Sequence, residues 1–212
     1  MSAINHATAE LVSRAPVIPV LVIDDVKTAV PLATALAAGG LTVLEVTMRT
    51  PAALDCIRAI ADALPQVMIG AGTVNTPASV KAAVAAGSRF LVSPGSTEAL
   101  LDAFLDSGLP FLAGAVTASE VLGLAERGLT HAKFFPAEPA GGANYIKSLG
   151  GPLPEMRFCP TGGIDLAKAK EYLKLANVPC VGGSWIAPAD AVKAGDWARI
   201  ETLAREAAAL KG

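Results

Sequence analysis

The sequence predicts an α/β fold, a (β/α)8 TIM barrel with a short N-terminal helix, and two observations support this prediction. Eight short apolar runs rich in β-branched residues recur along the 212 residues, as expected of buried strands. Helical patterns separate these runs and leave no room for hairpins, so neighbouring strands are expected to pair in parallel. A barrel closes from eight such strand–helix units.

The predicted elements alternate strictly along the chain. The pattern of residues 1–15 predicts a short helix that covers the floor of the barrel. The eight strands are predicted at VIPVLVI from Val17, LTVLEVTM from Leu41, VMIGAG from Val67, FLVSPG from Phe90, PFLAGAV from Pro110, KFFPA from Lys133, MRFCPTGG from Met156 and CVGGSW from Cys180. No linker or low-complexity tract interrupts the series, so residues 1–212 are expected to form a single domain.

The helices between the strands carry recognisable start and stop signals. Candidate N-caps, whose side-chain oxygens accept hydrogen bonds from the first helical turn, are Thr50, Asn75, Thr97 and Asp165. Glycines fall just before the next strand, where a helix often ends in the left-handed conformation that glycine adopts without strain. These predicted helix ends are Gly40, Gly87, Gly108 and Gly128.

A doubly wound parallel sheet is the alternative architecture for alternating strands and helices. Its dinucleotide-binding form requires a third glycine in the fingerprint that follows the first strand. Here GAGTVN from Gly70 has the first two glycines, but Asn75 stands where the third belongs. The sequence therefore favours the barrel.

Composition and charge exclude several classes of function. The chain is 52% hydrophobic and 17% charged, and its net charge of -2 provides no basic surface for nucleic acid. No apolar run reaches the roughly 18 residues of a membrane span, and MSAINHATAELVSRAP lacks the apolar core of a signal peptide. The three cysteines show no metal-binding or paired spacing. We expect a cytoplasmic protein with reduced core cysteines and no membrane or nucleic-acid partner.

Polar side chains cluster at the carboxyl ends of the predicted strands, where barrel enzymes carry their active sites. Glu45, Thr47 and Arg49 alternate with apolar residues, so all three share one face of strand 2. Lys133 and Phe135 share a face of strand 6 in the same way. Thr73 ends strand 3, and SPG with Pro94 at its centre ends strand 4. An acid and an amine are thus expected in one cavity.

Two glycine-rich turns end strands 7 and 8. CPTGG contains Gly162 and Gly163, and VGGS contains Gly183 and Ser184. Bare backbone N–H groups beside helix N-termini bind anions, and barrels often bind phosphate after these two strands. Tight corners without a ligand remain an alternative interpretation of both turns.

The predicted site is built around an amine and contains no metal. His6 and His131 are the two histidines, whereas catalytic metal sites usually need two or three together, and His131 is assigned to helix-side packing or the surface. A neutral lysine amine attacks a carbonyl to form an imine that withdraws electrons, and Phe134 with Phe135 is expected to keep Lys133 dry. A structural ion pair between Lys133 and Glu45 is the alternative.

The motifs LEVTMRT, GAGTV, SPG, KFFPAE, RFCPTGGI and GGSW occur in this order between Pro16 and about Ala208. In this the chain resembles the 2-keto-3-deoxy-6-phosphogluconate (KDPG) aldolases, class I aldolases whose members often also cleave 4-hydroxy-2-oxoglutarate. GAVT after strand 5 departs from the family pattern. The resemblance implies an Entner–Doudoroff enzyme that needs no cofactor, forms a homotrimer, and converts the phosphorylated sugar acid to pyruvate and glyceraldehyde 3-phosphate.

The resemblance also assigns roles to individual residues. It implies that Lys133 forms the Schiff base and that Glu45 shuttles protons. Carboxylate binding would fall to Arg49 and Thr73, and phosphate binding to the glycine turns. Phe135 and Thr161 would line the pocket. Two other functions remain open at this point: a phosphosugar isomerase or epimerase with Glu45 as its base, and a non-catalytic barrel that binds a phosphorylated metabolite.

Overall fold

The computed structural model describes residues 3–210, and eight short strands form its centre. The strands are β1 (Val17–Leu21), β2 (Val43–Thr47), β3 (Met68–Gly72), β4 (Leu91–Val92), β5 (Phe111–Gly114), β6 (His131–Phe134), β7 (Arg157–Pro160) and β8 (Val181–Gly183). All the described pairings between them are parallel, and consecutive strands are neighbours. The remaining gap, between β7 and β8, is bridged by a parallel pairing of Thr161 with Gly182. The predicted (β/α)8 barrel is confirmed.

Helices precede the first strand and follow every strand. They are α1 (Ala3–Ser13), α2 (Val26–Ala38), α3 (Ala53–Ala63), α4 (Pro77–Ala85), α5 (Glu98–Ser107), α6 (Ala118–Glu126), α7 (Gly142–Leu149), α8 (Leu166–Tyr172), α9 (Ala189–Ala194) and α10 (Trp197–Ala208). Two helices follow β8, a division that the sequence pattern did not predict. Among these helices none is both long and apolar enough to cross a bilayer.

The apolar residues form two cores that the sheet separates. The larger core lies between the strands and the surrounding helices, and the smaller one fills the lower part of the barrel. Members of the smaller core include Ile18, Val43, Val92 and Leu112 from four strands. Because side chains alternate across a strand, Val43 shares the inward face of β2 with Glu45, which lies nearer the carboxyl end. The lower barrel is therefore filled and the upper end is left for a site.

Helix α1 closes the floor of the barrel, as predicted for the N-terminal helix. Leu11 and Val12 from this helix belong to the inner core and are almost fully buried. The Asn5 side chain donates to the Gly128 carbonyl (2.6 Å) and accepts from the Thr130 N–H (3.3 Å). The helix is thereby tied to the loop before β6. Residues 1 and 2 of the predicted helix lie outside the described part.

The predicted helix boundaries are partly right. Thr97 and Asp165 cap their helices through hydrogen bonds to Leu100 and Lys168 N–H groups, and the four predicted terminal glycines all have positive φ. Thr50 was a wrong prediction: its hydroxyl donates to the Ile23 carbonyl, and α3 begins after Ala52. Asn75 was also wrong, because the neighbouring Thr76 caps α4 in a reciprocal pair with Ser79.

The divergent end of β5 serves as a helix cap. Thr117 Oγ1 accepts from the Glu120 N–H at 3.3 Å, while Glu120 accepts from the N–H groups of Val116 and Thr117 at 2.8 and 2.7 Å. These hydrogen bonds, from Thr117 first and then from Val116, hold the pKa of the Glu120 carboxyl below its usual range. GAVT therefore has a structural use at the start of α6.

Candidate active site

A cavity of about 380 Å³ opens at the carboxyl ends of the strands. The eleven residues predicted for the site all line it. They are Glu45, Arg49, Thr73, Pro94, Lys133, Phe135, Thr161, Gly162, Gly163, Gly183 and Ser184. Val20, Thr47, Ile164 and Gly182 also line the cavity and were not on the predicted list. Alternation along the strands could have predicted two of these residues. Thr47 shares a strand face with Glu45, and Gly182 shares one with Ser184.

Lys133 and Glu45 form a buried pair at the bottom of the cavity. Lys133 Nζ lies 3.1 Å from Glu45 Oε1, and the side chains are only 7% and 4% exposed. Lys133 comes from β6 and Glu45 from β2, so the barrel brings together residues 88 positions apart. Removal of one partner from a buried pair leaves the other charge uncompensated, which is strongly destabilising. The pair is therefore a firmly constrained acid and amine.

Glycine in β3 makes room for the Glu45 carboxylate. A Cβ atom built on Gly72 would collide with Glu45 Oε1 and crowd its Cδ and Cγ atoms at 2.7 Å. The same holds across β8, where a side chain at Gly182 would collide with the Thr161 hydroxyl. Both positions require glycine, because a polar side chain from the neighbouring strand approaches the backbone closely. It occupies the space that a methyl group would take.

One aromatic ring shields the amine, whereas two were expected. Phe135 lines the cavity, and its ring centroid lies 5.5 Å from Lys133 Nζ, within the range of a cation–π contact. Phe134 lies on the other face of β6, where its ring packs against Tyr145 and Phe158 in the outer core. The assignment of Phe134 to the setting of Lys133 was therefore wrong, because adjacent strand residues point to opposite faces.

Arg49 is held at the rim by a residue of the same strand face. Its Nε donates to Thr47 Oγ1 at 3.1 Å, and Thr47 Oγ1 donates to the Leu21 carbonyl at 2.9 Å. Thr47 is 2% exposed, whereas Arg49 is exposed to solvent. The buried hydroxyl fixes the base of the arginine and leaves the guanidinium at the mouth as a candidate anion-binding group.

Thr73 adopts a strained backbone conformation at the end of β3. Its φ is 60°, in the left-handed region that β-branched residues rarely enter. Such a conformation costs on the order of 1–3 kcal/mol and persists where the surroundings impose it, often at binding sites. Thr73 is the one non-glycine residue with positive φ within residues 3–210, and it faces the cavity.

Thr161 presents an unused polar atom to the cavity. The residue is 7% exposed, and within the described chain its Oγ1 has no hydrogen-bond partner. A buried hydroxyl without a partner costs about 1–3 kcal/mol, so a ligand that supplies a partner recovers this free energy. The hydroxyl is well placed for a polar substrate group beside Lys133.

The two glycine turns lie side by side next to Thr161. In the described residues, the backbone N–H groups of Gly162, Gly163 and Ser184 donate to no acceptor within the protein. Gly162 and Gly163 have φ values of 107° and 77°, which only glycine adopts readily. N–H groups that face a cavity without acceptors provide the donors that an anion requires.

His131 takes no part in the cavity. It lies in β6 two residues before Lys133, so the two share the inward face, and the assignment of His131 to helix-side packing was wrong. A separation of about 6–7 Å along the strand keeps the imidazole away from the site. Burial, followed by the nearby Arg157 guanidinium, lowers the pKa of His131 to about 4.

The arrangement suits covalent chemistry on a carbonyl compound that carries anionic groups. Lys133 supplies a nucleophilic nitrogen, and Glu45 can accept and return a proton at hydrogen-bond distance. Arg49 at one side and the glycine turns at the other are candidate anion sites. A family model described as KDPG and KHG aldolase matches residues 8–203.

The chain belongs to this aldolase family. It is 54% identical over 203 residues to the 2-dehydro-3-deoxy-phosphogluconate aldolase of Pseudoalteromonas atlantica, and the match covers 96% of this chain and 94% of the relative. It is 48% identical to the KHG/KDPG aldolase of Escherichia coli over 93% of this chain and 92% of the relative.

Two solved structures of KDPG aldolases are similar in sequence and in fold. The Legionella pneumophila enzyme, with pyruvate captured at low pH as a covalent carbinolamine intermediate, gives a TM-score of 0.92 at 46% identity, covering 93% of this chain and 96% of that chain. The Zymomonas mobilis enzyme with 3-phosphoglycerate gives a TM-score of 0.93 at 43% identity, covering 98% and 97%.

Proposed function

We propose that this protein is a class I aldolase that cleaves KDPG into pyruvate and glyceraldehyde 3-phosphate. The observation that carries the proposal is the buried pair of Lys133 and Glu45, 3.1 Å apart at the bottom of the cavity. A structural ion pair alone would not need a cavity above it or an unused hydroxyl beside it. The family of the chain is one of carbon–carbon lyases, which agrees with this assignment.

The reaction begins at the substrate's C2 ketone. After its ammonium proton passes to Glu45 or to water, the Lys133 amine attacks C2 to form a carbinolamine. Return of that proton to the C2 hydroxyl group releases water and gives a protonated imine, with Glu45 ionised again. Phe135 limits water at this end of the cavity, and the Thr161 hydroxyl provides a hydrogen-bonding group for the substrate. The carbinolamine captured in the Legionella relative supports a covalent route.

Bond cleavage uses the imine as an electron acceptor. Glu45, directly or through water, takes the proton of the C4 hydroxyl group, and the C3–C4 bond breaks with its electron pair moving into the imine. Glyceraldehyde 3-phosphate leaves as the aldehyde product. The enamine that remains takes a proton at C3 from the same carboxyl group, and addition of water then frees pyruvate and restores the Lys133 amine.

The two ends of the substrate are bound by different groups. Arg49 and Thr73 are assigned to the carboxylate beside C2, and Pro94 forms part of the same wall. The glycine turns, with Gly183 and Ser184 from the end of β8, are assigned to the distal phosphate through their N–H groups and the serine hydroxyl. The Zymomonas structure with 3-phosphoglycerate supports a phosphorylated ligand in this family.

Borohydride reduction in the presence of pyruvate tests the covalent mechanism. The imine should be reduced to a stable secondary amine, so intact mass should rise by one reduced pyruvyl group, and peptide mapping should locate it on Lys133. Lys147, a surface lysine of α7, provides the internal control and should stay unmodified. Absence of the adduct would favour a phosphosugar isomerase or a binding protein, neither of which the family membership supports.

Activity on 4-hydroxy-2-oxoglutarate (KHG) is proposed as well, because the same C2 ketone and C4 hydroxyl groups are present without the phosphate. The name of the Escherichia coli relative supports both substrates. A homotrimeric assembly and a cytoplasmic location are further proposals, and sedimentation of the purified protein would test the former.

A further inference from the structure

Three polar side chains lie directly behind the first glycine turn, outside the lining of the cavity. Glu138, from the loop after β6, accepts a hydrogen bond from the Tyr172 hydroxyl at 2.6 Å through Oε1. Its Oε2 lies 2.9 Å from Lys168 Nζ. We call Glu138, Lys168 and Tyr172 the Glu138 cluster. Lys168 and Tyr172 both come from α8, the helix that follows the turn.

The Glu138 cluster contacts the turn through its backbone. Lys168 Nζ donates to the Gly163 carbonyl at 3.0 Å, and the Glu138 N–H donates to the Gly162 carbonyl at 3.1 Å. A Cβ atom at Gly163 would lie 2.9 Å from Glu138 Cβ and Cγ, so the glutamate packs against the turn without a gap. When a carbonyl is held on one side of a peptide, the adjoining N–H points to the other side. The contact at the Gly162 carbonyl therefore directs the Gly163 N–H toward the cavity, and the contact at the Gly163 carbonyl directs the Ile164 N–H in the same way.

Besides its hydrogen bond to the Gly163 carbonyl, Lys168 compensates the negative charge of Glu138. The Tyr172 hydroxyl and then the Lys168 ammonium hold the pKa of the Glu138 carboxyl below its usual range, and Glu138 raises the pKa of Lys168. The cluster therefore places an ionised carboxylate against a turn assigned to a phosphate group. Like charges close together repel, and the ammonium group at 2.9 Å offsets this repulsion.

We propose that the Glu138 cluster positions the Gly162–Gly163 turn for phosphate and determines the preference for phosphorylated over unphosphorylated substrates. Lys168 is the main positioning residue, because it joins the carboxylate to the turn. The inference rests on the proposed phosphate site. The new element is that phosphate binding depends on the Glu138 cluster, although these side chains make no direct contact with the phosphate.

Lys168→Met provides the first test. The variant removes the hydrogen bond to Gly163 and leaves the Glu138 carboxylate uncompensated, so KM for KDPG should rise about tenfold or more, which corresponds to loss of one charge-assisted hydrogen bond. The kcat for KDPG and both constants for 4-hydroxy-2-oxoglutarate should stay within about twofold. Lys168→Arg retains charge and donors and should restore most of the KDPG affinity.

Lys170→Met is the matched control. Lys170 is an exposed lysine of the same helix, so its removal changes the net charge equally without a contact to the turn. Its kinetics should match wild type. If Lys170→Met raised KM for KDPG as much as Lys168→Met does, long-range attraction would explain the effect and the positioning role would be wrong.

Inhibition by inorganic phosphate separates this inference from the proposed function. Phosphate should compete with KDPG in the wild type and compete about tenfold more weakly in Lys168→Met. Equal inhibition of both proteins would overturn the inference and leave the phosphate site standing. Absence of competition in the wild type would overturn the phosphate assignment together with the inference.

Glu138→Gln distinguishes positioning from charge compensation. The amide keeps the shape and can accept from Tyr172, but it removes the negative charge, so KDPG affinity should fall less than in Lys168→Met. Thermal unfolding of each variant provides the check on folding. Equal losses on both substrates in a variant that unfolds like wild type would show that the cluster shapes the whole site, contrary to the proposal.

Discussion

At the scale of single residues, the proposed chemistry depends on the nitrogen of Lys133. We expect Lys133→Arg to fold and to lose almost all cleavage activity, because a guanidinium group stays protonated and does not form an imine. Arginine can still pair with Glu45, so the buried carboxylate keeps a partner. Steady-state turnover of KDPG is the measurement. Retention of even a tenth of wild-type turnover would exclude the covalent mechanism.

Glu45 is expected to move protons without being needed for adduct formation. Glu45→Gln should still yield the borohydride-trapped pyruvyl adduct, whereas solvent exchange of the pyruvate methyl protons should slow by roughly 10²–10⁴-fold. NMR follows this exchange without any aldehyde present. Exchange at the wild-type rate would remove Glu45 from the proton-transfer role.

His131 is expected to make folding stability depend on pH. Its pKa is about 4 in the folded protein and about 6.5 in the unfolded chain, so the folded state binds fewer protons between these values. The contribution is present above pH 6.5 and is lost as the pH falls toward 4. Allowing for the ring's partial exposure, on the order of 1 kcal/mol should be lost at pH 5.

Urea unfolding at pH 7 and pH 5 provides the measurement for this histidine. His131→Gln should remove most of the difference between the two pH values. His6→Gln changes an exposed histidine and should leave the difference as in wild type. A pH difference that survives in His131→Gln would assign the effect to other groups.

At the scale of elements, alternation along single strands predicted the site well. Glu45 and Lys133 could be assigned to the cavity because each lies on the inward face of its strand, and Arg49 and Phe135 continue the same alternation just beyond the strand ends. The need for glycine at position 72 could not be predicted. A larger residue there would collide with Glu45, which lies on the neighbouring strand. Contacts between strands follow from the register of the closed barrel, which sequence periodicity does not contain.

Helix starts were less predictable for a related reason. Asn75 has the right side chain for a cap, yet Thr76 is used because Ser79 completes a reciprocal pair with it. Competing candidates one residue apart differ by a fraction of a kcal/mol in intrinsic preference, so a single added hydrogen bond decides between them. Strand β6 likewise starts at His131, where its pairing with Arg157 begins, two residues before the predicted start.

Strand β3 is expected to transmit a small change directly to Glu45. Gly72→Ala introduces a methyl group into the space of the carboxylate, so Glu45 must move and kcat should fall at least tenfold, while pyruvate still forms its adduct. Gly123→Ala is the matched control, since a Cβ atom there meets nothing within 4 Å on the surface of α6. That variant should keep full activity.

The control variant has an expected sign of its own. Alanine within a helix is favoured over glycine by roughly 0.5–1 kcal/mol, so Gly123→Ala should unfold at slightly higher urea concentration than wild type. Unchanged kcat in Gly72→Ala would show that the strand yields and that Glu45 is not tightly positioned.

At the scale of the whole molecule, stability and catalysis occupy opposite ends of the barrel. Leu11→Ala removes a buried side chain from the floor, so the free energy of unfolding should fall by about 2–5 kcal/mol. KM and kcat should stay near wild type, because Leu11 does not line the cavity and other residues of the inner core lie between them. Urea unfolding and steady-state kinetics on the same sample provide the comparison.

The urea unfolding curve also tests whether the chain forms a single domain. The prediction that residues 1–212 form one domain implies a single cooperative transition, with the same midpoint by circular dichroism and by tryptophan fluorescence. Separate midpoints, or an equal loss of activity and stability in Leu11→Ala, would contradict the division between floor and site.

The glycine wall of the cavity affects the entropy of binding. Gly162, Gly163, Gly182 and Gly183 have no side-chain rotamers, so no rotamer freedom is lost there when a ligand arrives. Each long side chain that a ligand immobilises elsewhere costs about 0.5–1.5 kcal/mol, and the exposed Arg49 carries such a cost. Glycine instead loses its backbone freedom during folding. Along this wall, the ordering that binding requires is completed before any substrate is present.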